Sequence, residues 1–168
     1  MSEFIKVSGE IVDEEALNKA LNFGIEQVRT KIGSKFSEVI SGVEVQVGNN
    51  ITESGGETDE KQKIIKIDTK KSSMSLRDVE DLLVPQGYYD TGNLTELVPS
   101  IADQAYSYSS YNIVHELGHI VGGKLPVELS PTRYGRRATN EAFAEAFTYW
   151  VYNKPIDPEA ETIIRDKL

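Results

Sequence analysis

The chain has 168 residues, enough for one domain with a real core, and its balance of 39% hydrophobic to 27% charged residues is ordinary for a soluble globular fold. A net charge of −9 argues against a nucleic-acid partner, because phosphate neutralisation needs clustered Lys and Arg. No cysteine is present, which excludes disulfides and thiolate metal ligands without fixing the compartment. No apolar run approaches membrane-spanning length, and the N-terminus lacks a basic region followed by an apolar one. The expectation is no membrane association, with a cytoplasmic location by default or secretion if the chain was trimmed.

In chain order, residues 1–12 are short and mixed, with a candidate strand through Phe4, Ile5 and Val7. From Asp13 to Ile32 a helix is predicted, since Leu17, Leu21, Ile25, Val28 and Ile32 recur at threes and fours. Gly42–Gly48 alternates apolar and polar residues and reads as a strand. Residues 49–62 are polar and read as an exposed loop, and Lys63–Asp68 as a second strand. Ser75 with Asp78 forms a capping pair that opens a short helix through Leu83, which Pro85 ends.

Gln86–Asp90 reads as a brief edge strand, followed by a turn at Asp90–Asn93. Such a strand just before the central helix could pair with an extended peptide, although an ordinary hairpin fits equally well. Residues 94–110 resist assignment: Ser100–Asp103 could cap a helix, yet Tyr106–Tyr111 is poor in helix formers. A helix over about 111–122 follows, stopped by Gly122 and Gly123. Gly118 inside it costs about 1 kcal/mol against Ala, which suggests a close backbone approach. A linker over 124–137 leads to a helix from about Thr139 to Tyr152. Asp157 and Pro158 then open a short terminal helix.

Both histidines of the chain lie in His115-Glu116-Leu117-Gly118-His119. Residues four apart share one helix face, so both imidazoles can reach a single metal ion. Glu116 projects beside them, able to reach a water on that metal without ligating it. A catalytic zinc site takes three protein ligands and keeps one open position. With no third His and no Cys, the third ligand must be a carboxylate. Glu141 and Glu145 lie four apart on the later helix, where bare like charges repel. Glu141 is assigned to the metal and Glu145 to the outer nitrogen of a ligand histidine, where it would fix the tautomer. The alternative is a pair of solvated glutamates.

His-Glu-x-x-His followed by Asn140-Glu141-x-x-x-Glu145 resembles the gluzincin metallopeptidases. A narrower resemblance comes from Tyr134-Gly135-Arg136 with Asn140-Glu141-Ala142-Phe143-Ala144-Glu145-Ala146-Phe147. This segment is similar to the anthrax lethal factor catalytic domain and the related Pro-Pro endopeptidases. The resemblance covers roughly residues 111–152. It implies an α+β, zincin-like fold over residues 1–168: a small mixed sheet, from the strands of residues 42–68, packed on the active-site helix, with a Glu-bearing helix C-terminal to it. It implies zinc on His115, His119 and Glu141, Glu145 supporting the site, Glu116 as general base and Tyr134 stabilising the transition state. The connection from His119 to Tyr134 is shorter here than in those toxins, and their large extra domains are missing from this chain.

The expected activity is therefore that of a zinc endopeptidase, with Glu116 taking a proton from a zinc-activated water and passing it to the leaving nitrogen. Both histidines being committed to the metal, the oxyanion donor must be Tyr or Arg; the resemblance and its place just before the Glu helix make Tyr134 the candidate, where the residues alone would read as an ordinary packing tyrosine. Arg136 and Arg137 could contact substrate carboxylates or carbonyls, but two adjacent loop arginines are more often simply solvated. The expected partner is a protein or peptide substrate, Pro-rich if the resemblance extends to specificity, acted on by a monomer. The alternatives are an intracellular regulatory protease with one protein substrate, and a zinc-stabilised binding or assembly protein without turnover.

Overall fold

The computed structural model describes residues 5–9, 14–49, 51–52 and 55–168. Strand β1 (Ile5–Gly9) leads to helix α1 (Glu14–Ile32), the short helix α2 (Phe36–Ile40) and strand β2 (Val43–Gly48). Strands β3 (Gly56–Asp59) and β4 (Ile64–Asp68) follow, then helices α3 (Leu76–Leu83), α4 (Ser107–Val121), α5 (Thr139–Val151) and α6 (Pro158–Lys167). The architecture is mixed α+β. Phe4 and Asp13, expected to begin the first strand and the first helix, lie outside the described residues.

The four strands form one sheet in the order β1-β2-β4-β3. β1, β2 and β4 run parallel, and β3 pairs antiparallel with β4 as Gly56↔Ile67 and Thr58↔Ile65. Val43, Val45 and Val47 of β2 and Ile65 and Ile67 of β4 are buried in one continuous apolar cluster with the helices. Alternation along both strands puts those side chains on the helix face.

The loop expected over residues 49–62 contains β3. Its sequence, Gly-Glu-Thr-Asp, offers one β-former, and the strand exists because β4 supplies a hydrogen-bonding partner beside it. The edge strand expected at Gln86–Asp90 is absent. Gly87, at φ 84°, turns the chain directly after α3, and the amides of Gly87 and Tyr88 bond to the carbonyls of Val84 and Leu83. The turn at Asp90–Asn93 does form, closed by the Asn93 amide on the Asp90 carbonyl at 3.1 Å.

α4 is the central element: it contacts α1, α2, α3, α5, β3 and β4, and every residue from Ser107 to His119 is buried. It starts four residues before the expected position of 111. The serines that read as helix-breaking satisfy tertiary bonds instead. Ser110 Oγ donates to the Ala20 carbonyl at 2.7 Å and Ser109 Oγ to the Ser72 carbonyl at 2.9 Å, while Ser107 Oγ accepts from the Leu76 amide at 2.8 Å. Burial of a whole helix outweighs a few tenths of a kcal/mol per residue of intrinsic preference.

The remaining helix ends follow their local chemistry. Ser75 accepts from the Asp78 amide at the start of α3, and Asp157 from the Glu159 amide at the start of α6. Gly122, at φ 80°, ends α4. Where α4 crosses α5, a Cβ on Gly118 would sit 3.1 Å from the Ala144 Cα, which is the close approach expected there. No helix among the described residues is long and apolar enough to cross a membrane.

Candidate metal centre

α4 and α5 cross at the site. His115 and His119 project from one face of α4 with ring centroids 5.0 Å apart. Glu141, in the first turn of α5, places one carboxylate oxygen 3.0 Å from Nε2 of His115 and the other 3.1 Å from Nε2 of His119. Ligand atoms of the three residues lie within 4.8 Å of one another, so the group could hold a metal ion. Two imidazole nitrogens and one carboxylate, each pointing at a common centre at such separations, form a donor set that suits a divalent cation. Both histidines hold the Glu141 carboxylate well below the usual range, outweighing the burial that opposes its charge.

Behind this group lies a network that local patterns do not reveal. Glu145, one turn beyond Glu141, is completely buried, and its Oε2 is 2.9 Å from Nδ1 of His115. Tyr89 Oη donates to Glu145 Oε1 at 2.9 Å, Thr132 Oγ1 donates to the same oxygen at 2.8 Å, and Tyr111 Oη donates to Oε2. The four donors come from α4, the turn after α3, and the segment before Tyr134. A buried carboxylate is tolerated when its lone pairs are satisfied in this way. With Nδ1 held by Glu145, His115 turns its Nε2 toward Glu141 and His119.

The residues of α5 form an apolar side with Phe143, Phe147, Trp150 and Val151 and a more polar side with Glu141, Glu145, Thr148 and Tyr152. The structure buries both: every residue from Ala142 to Thr148 is inside. The reading of Glu141 and Glu145 as solvated glutamates is therefore excluded for Glu145 outright, and Glu141 keeps only 23% of its side chain exposed.

Glu116 is 4% exposed and faces β3. Thr58 Oγ1 donates to Glu116 Oε2. A Cβ on Gly56 would lie 2.9 Å from the other oxygen, so glycine lets the carboxylate rest against the strand. Burial raises the Glu116 pKa above the ordinary Glu value, while His115, His119 and Thr58 pull it part of the way back. Thr58 and Gly56 could not be singled out in a segment that reads as loop. The only hint is the short polar run ahead of a clear strand, where a hairpin partner belongs.

Tyr134 begins a single turn of 3-10 helix, Tyr134–Arg137, just before α5. Its ring stacks on Tyr89 at 5.9 Å and meets His115 edge-on at 5.9 Å. Burial pushes its pKa up, so the phenol remains a proton donor at neutral pH. Two cavities meet at Glu116 and Tyr134. One, of about 370 Å³, is mainly apolar and aromatic, with Met74, Leu83, Tyr88 and Tyr108 in its wall. The other, of about 530 Å³, is polar and takes in Glu57, Glu60 and Glu141.

Arg136 and Arg137 separate. Both are exposed, but the Arg137 guanidinium lies over the rings of Tyr88 and Tyr134 at 5.4 and 5.0 Å. Comparison of the chain with family models, with curated proteins and with solved structures gives no match.

Proposed function

We propose that this protein is a zinc-dependent endopeptidase of gluzincin type with a zincin-like fold, related in its active-site segment to the lethal factor catalytic domain and the Pro-Pro endopeptidases. One observation carries the reading. The carboxylate of Glu141 meets both histidine Nε2 atoms, while Glu116, in the middle of the same His pair, stays off that centre and turns to β3. A purely structural site has no use for a buried carboxylate held beside the ligands.

His115, His119 and Glu141 would hold the zinc, a donor set of two nitrogens and one oxygen that leaves a fourth position open. When bound, zinc supplies a water of lowered pKa and polarises the scissile carbonyl. Glu116 accepts a proton from the attacking water as the C–O bond forms, and delivers it to the amide nitrogen as the C–N bond breaks. Burial, which favours its protonated form, suits a group that must take a proton and return it. Tyr134 Oη donates to the oxyanion. Glu145 keeps the His115 ring in one tautomer and one orientation.

β3 lies at one edge of the sheet, with Thr58 and Gly56 turned to Glu116. An extended peptide adding to that edge would pass its backbone in front of the general base. This is one of the two roles open to residues 86–90 on sequence, transferred to the strand the fold provides.

The test is cleavage of a mixed peptide library by the zinc-loaded protein, with and without a chelator, beside the Glu116→Gln variant. Chelator-sensitive cleavage that the variant lacks is expected. Zinc-dependent thermal stabilisation with no cleavage of any peptide would replace this reading with a zinc-stabilised binding protein.

A further inference from the structure

The apolar cavity of about 370 Å³ is lined by Glu116 and His115 and also by Tyr88, Tyr134 and Arg137. The last three residues are tied together. The Tyr134 amide donates to the Tyr88 carbonyl at 2.8 Å, locking the two segments together, and the two rings meet edge-on at 6.1 Å. The Arg137 guanidinium lies against both rings.

Among the described residues four other arginines are paired with carboxylates, Arg29 with Glu26 at 3.1 Å, Arg133 with Asp90 at 3.1 Å, Arg165 with Glu161 at 3.5 Å and Arg77 with Asp103, whereas Arg136 and Arg137 are not. Arg137 has no carboxylate in ion-pair range among the described residues, in a chain with 27 acidic and 18 basic side chains. Contact with aromatic faces restrains a guanidinium without using its N–H donors. Those donors remain available in a planar fork that matches a carboxylate. Across Glu116 the second cavity carries Glu57 and Glu60 as well as Glu141, and would repel the same group.

Building on the endopeptidase reading, we propose that Arg137 is a specificity-determining residue. It binds a carboxylate on the substrate residue neighbouring the one whose bulky apolar side chain fills the cavity. The favoured substrate class is thus a peptide with an apolar–acidic pair at the cleavage site.

The experiment uses the full zinc-loaded chain and a peptide set in which Phe, Leu, Met or Pro is flanked on either side by Asp, Asn or Lys, each made as C-terminal acid and amide. Two readouts are taken: kcat/KM for cleavage, and binding to the Glu116→Gln protein by fluorescence anisotropy. Asp is expected to be preferred over Asn by about tenfold at one flanking position in both readouts. The ratio should fall to near one in Arg137→Gln, lie between in Arg137→Lys, and shrink with added salt. A preference confined to peptides ending in a free acid would identify the carboxylate as the chain terminus; one shared by the amides identifies a side chain.

Acid-dependent binding that Arg137→Gln removes, without cleavage of any peptide, would uphold the carboxylate-binding role of Arg137 and sink the endopeptidase reading. Cleavage with no acid preference, or with a preference that survives Arg137→Gln, would overturn this proposal and leave the endopeptidase reading standing.

Discussion

The Glu145 carboxylate lies 2.9 Å from Nδ1 of His115, with both side chains buried. Tyr89, Tyr111 and Thr132 converge on that same carboxylate, so it cannot swing without breaking bonds to three separate stretches of chain. The imidazole is thereby aimed before any cation arrives. Glu145→Gln keeps the shape but loses the charge, and presents N–H groups to donors. Zinc affinity should fall by about 10–100-fold, measured by competition with a chromophoric chelator. An unchanged affinity would mean that His115 is oriented by packing alone.

Glu116 is expected to separate binding from chemistry. Glu116→Gln should bind zinc at the wild-type stoichiometry, since Glu116 is not among the converging ligand atoms. Its kcat should drop by at least about 100-fold, the usual contribution of a positioned acid–base group. Zinc content by mass spectrometry beside turnover on a cleaved peptide distinguishes the two effects. Full activity in this variant would remove Glu116 from the mechanism.

α1 and α4 are held close by a glycine. A Cβ on Gly24 would sit 2.5 Å from Ile113 Cγ2 and 2.7 Å from the Ser110 carbonyl oxygen. Ile113 is fully buried and the carbonyl belongs to the helix backbone, so neither can move aside cheaply. Gly24→Ala gains up to about 1 kcal/mol of helix propensity but forces the crossing apart. Overpacking typically costs about 1–3 kcal/mol, so a net loss of about 1–2 kcal/mol is expected in urea denaturation. A variant as stable as the parent would show that the crossing is looser than described.

Glu80 gives a pH prediction remote from the metal. Burial alone would raise its pKa, but the amides of Thr95 and Leu94 at 3.1 and 3.0 Å outweigh burial and hold it below the ordinary value. A depressed carboxylate stabilises the fold above its unfolded pKa, about 4.3, and that contribution fades as pH falls through the lower folded value. Glu80→Gln should therefore cost about 1–3 kcal/mol at pH 7. The gap to the parent should close in acid. A pH-independent gap in denaturant melts would mean that the charge on Glu80 contributes nothing.

The helices of residues 14–32, 76–83, 139–151 and 158–167 are legible because apolar spacing, caps and prolines act within a few residues of one another. β2 and β4 are legible by alternation. β3 and the first turn of α4 are not, because Gly56–Asp59 owes its strand to a neighbour and Ser107–Ser110 owe their helix to distant carbonyl and amide partners. The tyrosines illustrate the same limit. Of eight in the chain, nothing local marks Tyr89 and Tyr111 as the pair that grips Glu145.

Sequence alone determined that His115 and His119 share a helix face with Glu116 beside them, since a helical repeat is a property of adjacent residues. It also limited any third ligand to a carboxylate, by composition. Only the packing of α5 against α4 decided that Glu141 and Glu145 reach opposite nitrogens of one imidazole. Only the fold set β3 against Glu116 and laid Arg137 over two rings. Apart from Arg137 on Tyr134, those meetings join residues about 20 to 60 positions apart, and their geometry comes from how whole elements bury their faces, which no short window of sequence contains.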